Sequence, residues 1–212
     1  MVTSREISKV FSLLEPSHQP TMLEQLKEYT HFQLLVATLL SARTKDTTII
    51  PIVKRLFQKY PQPHDLAKAD IKALEQELFK SGFYRAKARH VKALSTIVHE
   101  QYHDQIPQDF TQLIALPGVG RKTANCILNY AFHQSAIAVD IHVHRISNRL
   151  GWVKTKTPEG TEEALQKIVP RELWNKVNML LVDHGQRICL PRKPQCGSCA
   201  VRGYCKYGKK NV

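Results

Sequence analysis

The sequence predicts an all-α protein of about ten helices joined by short connections. Apolar residues recur at the 3.6-residue period almost throughout, and strand-like alternation is nearly absent. Pro51, Pro61, Pro63, Pro107, Pro158 and Pro170, with Gly82, Gly151 and Gly160, punctuate the periodic runs. With 212 residues the chain can bury one large core or two modest ones.

Taken in order, the first amphipathic run carries Arg5, Glu6 and Lys9, which argues against a secretory signal peptide. Phe32 to Leu40 is apolar enough for a buried helix. Tyr84, Ala88, Val91, Leu94, Ile97, Val98 and Tyr102 mark a long amphipathic one. Leu116-Pro117-Gly118-Val119-Gly120-Arg121-Lys122-Thr123-Ala124-Asn125 then reverses the chain between two helices. Pro117 fixes one backbone angle, and Gly118 and Gly120 allow the conformations that so tight a turn needs. Successive N–H groups point outward at the positive end of the helix that starts near Arg121, as in phosphate sites. Plain connection explains the turn equally well.

Placed at about 100° per residue, Ala124, Ile127, Leu128 and Ala131 form a core-facing stripe, with Lys122, Asn125, Cys126 and Asn129 on the opposite, open face. The positive helix end and the surplus of nearby cations disfavour an ammonium at Lys122, as a nucleophilic amine requires. Asp140 opens the next run, with Val143, Ile146 and Leu150 at helical spacing and Gly151 as the stop. Capping alone accounts for this carboxylate. A rigid carboxylate facing a lysine could also activate the amine or stabilise a developing sugar cation. His142 and His144 point about 200° apart on a helix, which disfavours a shared metal.

Cys189, Cys196, Cys199 and Cys205 stand as Cys-x6-Cys-x2-Cys-x5-Cys, and Cys126 lies apart as a free thiol. Four clustered intracellular cysteines bind metal more often than they pair as disulfides. Zinc is the default for four thiolates, while one short segment wrapping all four suits a [4Fe–4S] cluster better than the paired hairpins of zinc ribbons. Spacing leaves both metals open. The 31 basic against 18 acidic residues give +13, spread along the chain, which implies a basic surface for nucleic acid. No apolar run is long enough to span a bilayer and no basic amphipathic anchor is evident, so a soluble intracellular protein is expected.

The hairpin, Val139-Asp140-Ile141-His142, the cysteine loop with Arg192-Lys193-Pro194 before its second cysteine, Leu39-Leu40-Ser41-Ala42 and His184-Gly185 together resemble endonuclease III. This is the iron–sulfur branch of the helix–hairpin–helix DNA glycosylases, and the likeness covers nearly the whole chain. The resemblance implies two helical domains with a DNA-binding cleft between them, in which Lys122 and Asp140 face each other. One domain would be residues 24–134, six helices ending in the helix–hairpin–helix. The other would join 1–23 to 135–212 and carry the cluster loop, 189–205.

The resemblance also implies a cytoplasmic, nucleoid-associated monomer acting on double-stranded DNA that contains damaged bases or abasic sites. The family's enzyme is a bifunctional glycosylase and AP lyase that flips out an oxidised pyrimidine, removes it and cuts the strand by β-elimination. Lys122 falls on the nucleophile that forms a Schiff base, Asp140 on the essential carboxylate, and the four cysteines on the ligands of a [4Fe–4S] cluster. Gly118, Val119, Gly120, Arg121, His142 and Lys193 fall among DNA contacts. Arg43 and Phe83 would fill the gap left by the flipped base, where the common bacterial pattern has glutamine and leucine, so opposite-base preference stays open. Two other readings remain. One is a uracil or thymine mismatch glycosylase, and the other a non-catalytic DNA-binding module, which would not need the Lys122 and Asp140 pair. Adenine glycosylases of the superfamily typically lack this lysine and carry an extra C-terminal domain.

Overall fold

The computed structural model describes residues 2–210. Among them the regular structure is helical throughout: α1 (Ser4–Leu14), α2 (Met22–Gln25), α3 (His31–Ser41), α4 (Asp46–Lys59), α5 (Pro63–Lys68), α6 (Ile71–Glu77), α7 (Tyr84–Tyr102), α8 (Phe110–Ala115), α9 (Arg121–Tyr130), α10 (Ile141–Leu150), α11 (Pro158–Ile168), α12 (Trp174–Arg187) and α13 (Lys206–Lys210), with short 3-10 turns between some of them. These α segments outnumber the ten or so that periodicity suggests, because α2, α5, α8 and α13 have only four to six residues each. A stretch that short cannot display a 3.6-residue period. No helix among the described residues is long and apolar enough to cross a membrane.

The chain divides into two compact units. Met22–Phe132 is continuous, and Met1–Thr21 combines with His133–Val212 into a split unit.

In the continuous unit α3 is the central element. Eight of its eleven residues are buried, and it packs on α4, α7 and α9. Its start is fixed by a capping box, in which Thr30 Oγ1 accepts from Gln33 N at 3.2 Å and Thr30 N donates to Gln33 Oε1 at 3.2 Å. Two prolines act as the sequence suggests, since Pro63 and Pro158 open α5 and α11, where a missing N–H costs nothing. Pro51 does not act as punctuation. It lies inside α4, whose buried Ile49, Ile52, Val53, Leu56 and Phe57 hold the helix together across the lost backbone bond.

The core of the split unit joins the first segment of the chain to the last. Ile7, Val10, Phe11 and Leu14 of α1 meet Val143, Ile146 and Leu150 of α10 and Val177, Leu180 and Leu181 of α12. Phe11 stands edge-on to Trp152 with ring centroids 5.6 Å apart. A polar clasp lies beside this core. Arg187 donates to both oxygens of Asp183, at 2.6 and 2.7 Å, and Asp183 also accepts from Gln19 N at 3.2 Å. Burial pushes the Asp183 carboxyl up, but these bonds outweigh it and leave the group below its ordinary range.

Because Phe11 is only 1 % exposed, Phe11→Ala leaves a cavity that the ring had filled. We expect a loss of about 3–5 kcal/mol, read as a lower urea midpoint followed by the near-ultraviolet signal of the tryptophans in the split unit.

Candidate functional site

In the continuous unit the hairpin joins α8 to α9. Asp109 caps α8 by accepting from Gln112 N at 3.0 Å, and the turn closes with Val119 N donating to Leu116 O at 3.1 Å. Val119 is buried and anchors the loop, while Gly118 and Gly120 are exposed. Gly118 has φ +78°, and a Cβ there would fall 2.9 Å from the Cβ, Cγ and Nδ1 of His90, so both conformation and space require glycine. Gly120 is extended and would meet nothing within 4 Å, which leaves open room beside the start of α9. As the N-cap it offers no side chain to the first N–H groups of that helix. These donors and the helix dipole together favour an anion.

Lys122 is the second residue of α9 and half-buried. Arg121 before it is exposed, its guanidinium 5.0 Å from the centre of the Phe110 ring. One expectation fails here. Asn125, Cys126 and Asn129 do not form an open face, since they are 5 %, 0 % and 5 % exposed. Phasing sorts side chains by polarity, and amides and a thiol are small enough to be buried on the polar side. Cys126 is buried and in no disulfide.

Two further predicted residues meet in the same unit. Arg43 and Phe83 are both exposed and both left-handed, with φ 54° and 59°. The Arg43 guanidinium lies 5.3 Å from the centre of the Phe83 ring. At 64 % exposure Phe83 is not a core aromatic. Beneath this pair, the backbone of Gly82 closes on Arg43, and the buried Lys87 donates from Nζ to Thr44 Oγ1 at 2.8 Å. Burial pushes the Lys87 amine down to about 8. Nothing in the local pattern singles out this residue, because an apolar helix face normally excludes lysine.

In the split unit Asp140 caps α10. Its Oδ1 accepts from His142 N and Val143 N, both at 2.8 Å, so the cap occupies one oxygen and makes no use of the other. His142 and His144 diverge as expected. His142 Nδ1 lies 3.2 Å from Arg145 Nη2, and His144 Nδ1 lies 2.6 Å from Thr161 Oγ1 of α11. Gly185 explains the His-Gly pair on α12, since a Cβ there would fall 2.6 Å from His142 Nδ1. The missing side chain lets α10 and α12 approach closely. Ile141, beside Asp140, is 70 % exposed.

The four cysteines line one pocket, partly open to solvent. Two arginines of α10 hold its rim, and the sequence reading missed both. Arg145 donates to Cys189 O at 2.9 Å and Gly185 O at 3.0 Å. Arg149 reaches Leu190 O at 2.7 Å, Pro191 O at 2.9 Å and Cys189 Sγ at 3.3 Å, with Tyr207 stacked against it. Their i, i+4 spacing shows that they share a helix face, but not that the face meets backbone carbonyls. Burial pushes the Cys199 and Cys205 thiols up, and burial pushes His184 down to about 4, so this imidazole is neutral beside Cys199 Sγ at 3.6 Å. Lys193, φ 51°, is exposed on this loop next to Arg192.

The profile of the HhH-GPD superfamily base excision DNA repair proteins matches residues 36–171. Endonuclease III of Thermotoga maritima is 46% identical over 184 residues, covering 87% of this chain and 86% of its own. That of Rickettsia conorii is 36% identical over 201 residues, 95% of both chains. Among solved structures, a non-covalent endonuclease III–DNA complex superposes with TM-score 0.90 at 36% identity, over 99% of this chain and 98% of its own. A trapped endonuclease III–DNA covalent intermediate superposes with TM-score 0.86 at 35% identity, over 99% of both chains.

Lys87 generates a prediction with a definite sign. Below pH 8 the amine is charged in both folded and unfolded chains, and its burial is destabilising. Between about 8 and the ordinary lysine value of 10.5 the unfolded chain binds more protons, so stability rises with pH. Unfolding measured from pH 7 to 10.5 is expected to show this rise in the native protein, relative to Lys87→Met.

Proposed function

The chain belongs to the HhH-GPD superfamily of base excision DNA repair proteins, and within it to the endonuclease III family. On that premise we propose that it is a bifunctional DNA glycosylase and AP lyase, acting on oxidised pyrimidines in duplex DNA. The observation that carries this reading is Lys122 in the first turn of α9, directly behind an uncapped glycine hairpin. A module that only docks on DNA needs the hairpin's N–H groups but not a lysine beside them.

The hairpin binds a backbone phosphate through the exposed N–H groups around Gly118 and Gly120 and at the start of α9, with Val119 contributing its backbone and Arg121 its charge. Arg43 and Phe83 enter the space left by the flipped nucleotide, where the ring replaces lost stacking and the guanidinium reads the orphaned base. The neutral amine of Lys122 attacks C1′. The C–N bond forms as the glycosidic bond breaks, and the base leaves with a proton. The ring bond C1′–O4′ then breaks, O4′ takes a proton, and the Schiff base so formed acidifies C2′, whose proton is lost as the C3′–O bond breaks and the 3′ phosphate departs. Asp140 assists by taking up the proton released from Lys122 and by stabilising positive charge on the sugar. Its N-cap bonds hold the carboxylate rigid on one oxygen, so the other stays available. His142 and Lys193 contact the DNA backbone from the split unit.

Cys189, Cys196, Cys199 and Cys205 hold a [4Fe–4S] cluster, a reading supported by their place around one pocket. When bound, the cluster cross-links the loop and so presents Arg192 and Lys193 in a fixed place.

Borohydride reduction on an abasic or thymine-glycol duplex is expected to trap the native protein covalently and to fail with Lys122→Ala, which should still bind the duplex. Binding without trapping by the native protein would sink the enzymatic reading. For the metal we expect a brown protein with about four irons and four acid-labile sulfides per chain. A colourless protein carrying one zinc would replace the cluster assignment.

A further inference from the structure

We propose that His64, His99 and Asp104 form a second metal site, taking one divalent transition-metal ion of the Zn²⁺ type. They lie in the continuous unit, apart in sequence from every residue assigned above to DNA or to the cysteine loop. Among the described residues their ligand atoms form a group of three lying within 4.8 Å of one another. Two imidazoles and a carboxylate are a donor set that zinc takes readily.

The backbone brings each donor to its place. Pro63, with its fixed φ, opens α5 and sets His64 in the first turn, where a capping box orders the backbone as Gln62 N donates to Asp65 Oδ2 at 2.9 Å. His99 lies one turn before the end of α7. After that end the chain takes two left-handed residues in succession, His103 at φ 50° and Asp104 at φ 65°, and Asp104 N donates back to Val98 O at 3.1 Å. This reversal folds the Asp104 carboxylate onto His99 Nδ1 at 2.9 Å. Packing of α5 against α7 places the His64 and His99 rings with centroids 5.8 Å apart.

Donors to a tetrahedral zinc lie about 3.3–3.5 Å apart, as bonds of about 2.0–2.1 Å dictate. The His99–Asp104 edge is already shorter than that, and small χ rotations close the rest. Rotation is open to these groups, since the side chains of His64, His99 and Asp104 are 41%, 39% and 39% exposed. Asp65 Oδ1, 3.2 Å from His64 Nε2, adds a second carboxylate at the edge of the site. Two unrelated ion pairs, His99 with Asp104 and His64 with Asp65, would explain each contact separately. They give no reason for the two imidazoles to converge. A bound ion would clip the start of α5 to the end of α7 and stiffen this unit without entering the chemistry.

Titration of the iron-loaded, full-length protein with ZnCl₂ in a non-chelating buffer tests this by calorimetry. One ion per chain is expected, with affinity lowered at least tenfold in both His64→Ala and His99→Ala. Added zinc should raise the melting temperature of the native protein and leave that of either variant unchanged. Without zinc, all three should melt alike and trap abasic DNA alike, because the altered side chains are half-exposed. Absence of uptake, or uptake undiminished in both variants as binding at the cysteine loop would give, overturns the proposal.

Discussion

The close approach of α10 and α12 at Gly185 governs the split unit. With no Cβ in the way, His142 can lie against α12, and Arg145 can span from His142 to the carbonyls of Gly185 and Cys189. One helix thereby carries the Asp140 carboxylate at its first turn and two arginines further along that hold the rim of the cysteine cavity. The position of the carboxylate and the order of the loop are therefore mechanically linked. Disturbing the loop would be felt at the start of α10. Such a link gives the cysteine loop a positional role.

A similar economy governs the continuous unit. Gly118 serves both the backbone reversal and the space that His90 needs, so the hairpin is seated on α7 as well as on α9. One turn earlier on α7, Lys87 is anchored to Thr44, the residue after Arg43. Arg43 and Phe83 both hold left-handed backbones that cost roughly 1–3 kcal/mol each in non-glycine residues and persist only where their surroundings demand it. Exposed and strained side chains at the tips of two loops are poor contributors to stability. Their position agrees with the base-reading role proposed for them above.

Much of this was legible in the sequence, because the signals were local. Asp140 as an N-cap, the glycine hairpin and the divergence of His142 from His144 all follow from residues within one turn of each other. The buried α3 and amphipathic α7 follow from period alone. What could not be read depends on what lies across from a residue. Asn125, Cys126 and Asn129 are polar or small and yet buried, and Pro51 sits inside a helix that its apolar neighbours sustain. Arg145 and Arg149 look like ordinary surface charge until the carbonyls of residues 185–191 are placed opposite them. Lys87, and the meeting of His64 with His99 and Asp104, needed three dimensions for the same reason.

The division of the chain also imposes an order on its birth. Residues of α1 are made well before α10 and α12, where Ile7, Val10, Phe11 and Leu14 find many of their partners. At about 5–20 residues per second of synthesis, that apolar stripe waits on the order of 10–30 s for Leu181 to appear. The continuous unit, Met22–Phe132, is complete well before then. The growing chain thus carries a sticky helix all the while the continuous unit is being made. Its safe passage depends on whatever shields that helix at the ribosome, and a slow pause before α12 would lengthen the exposure.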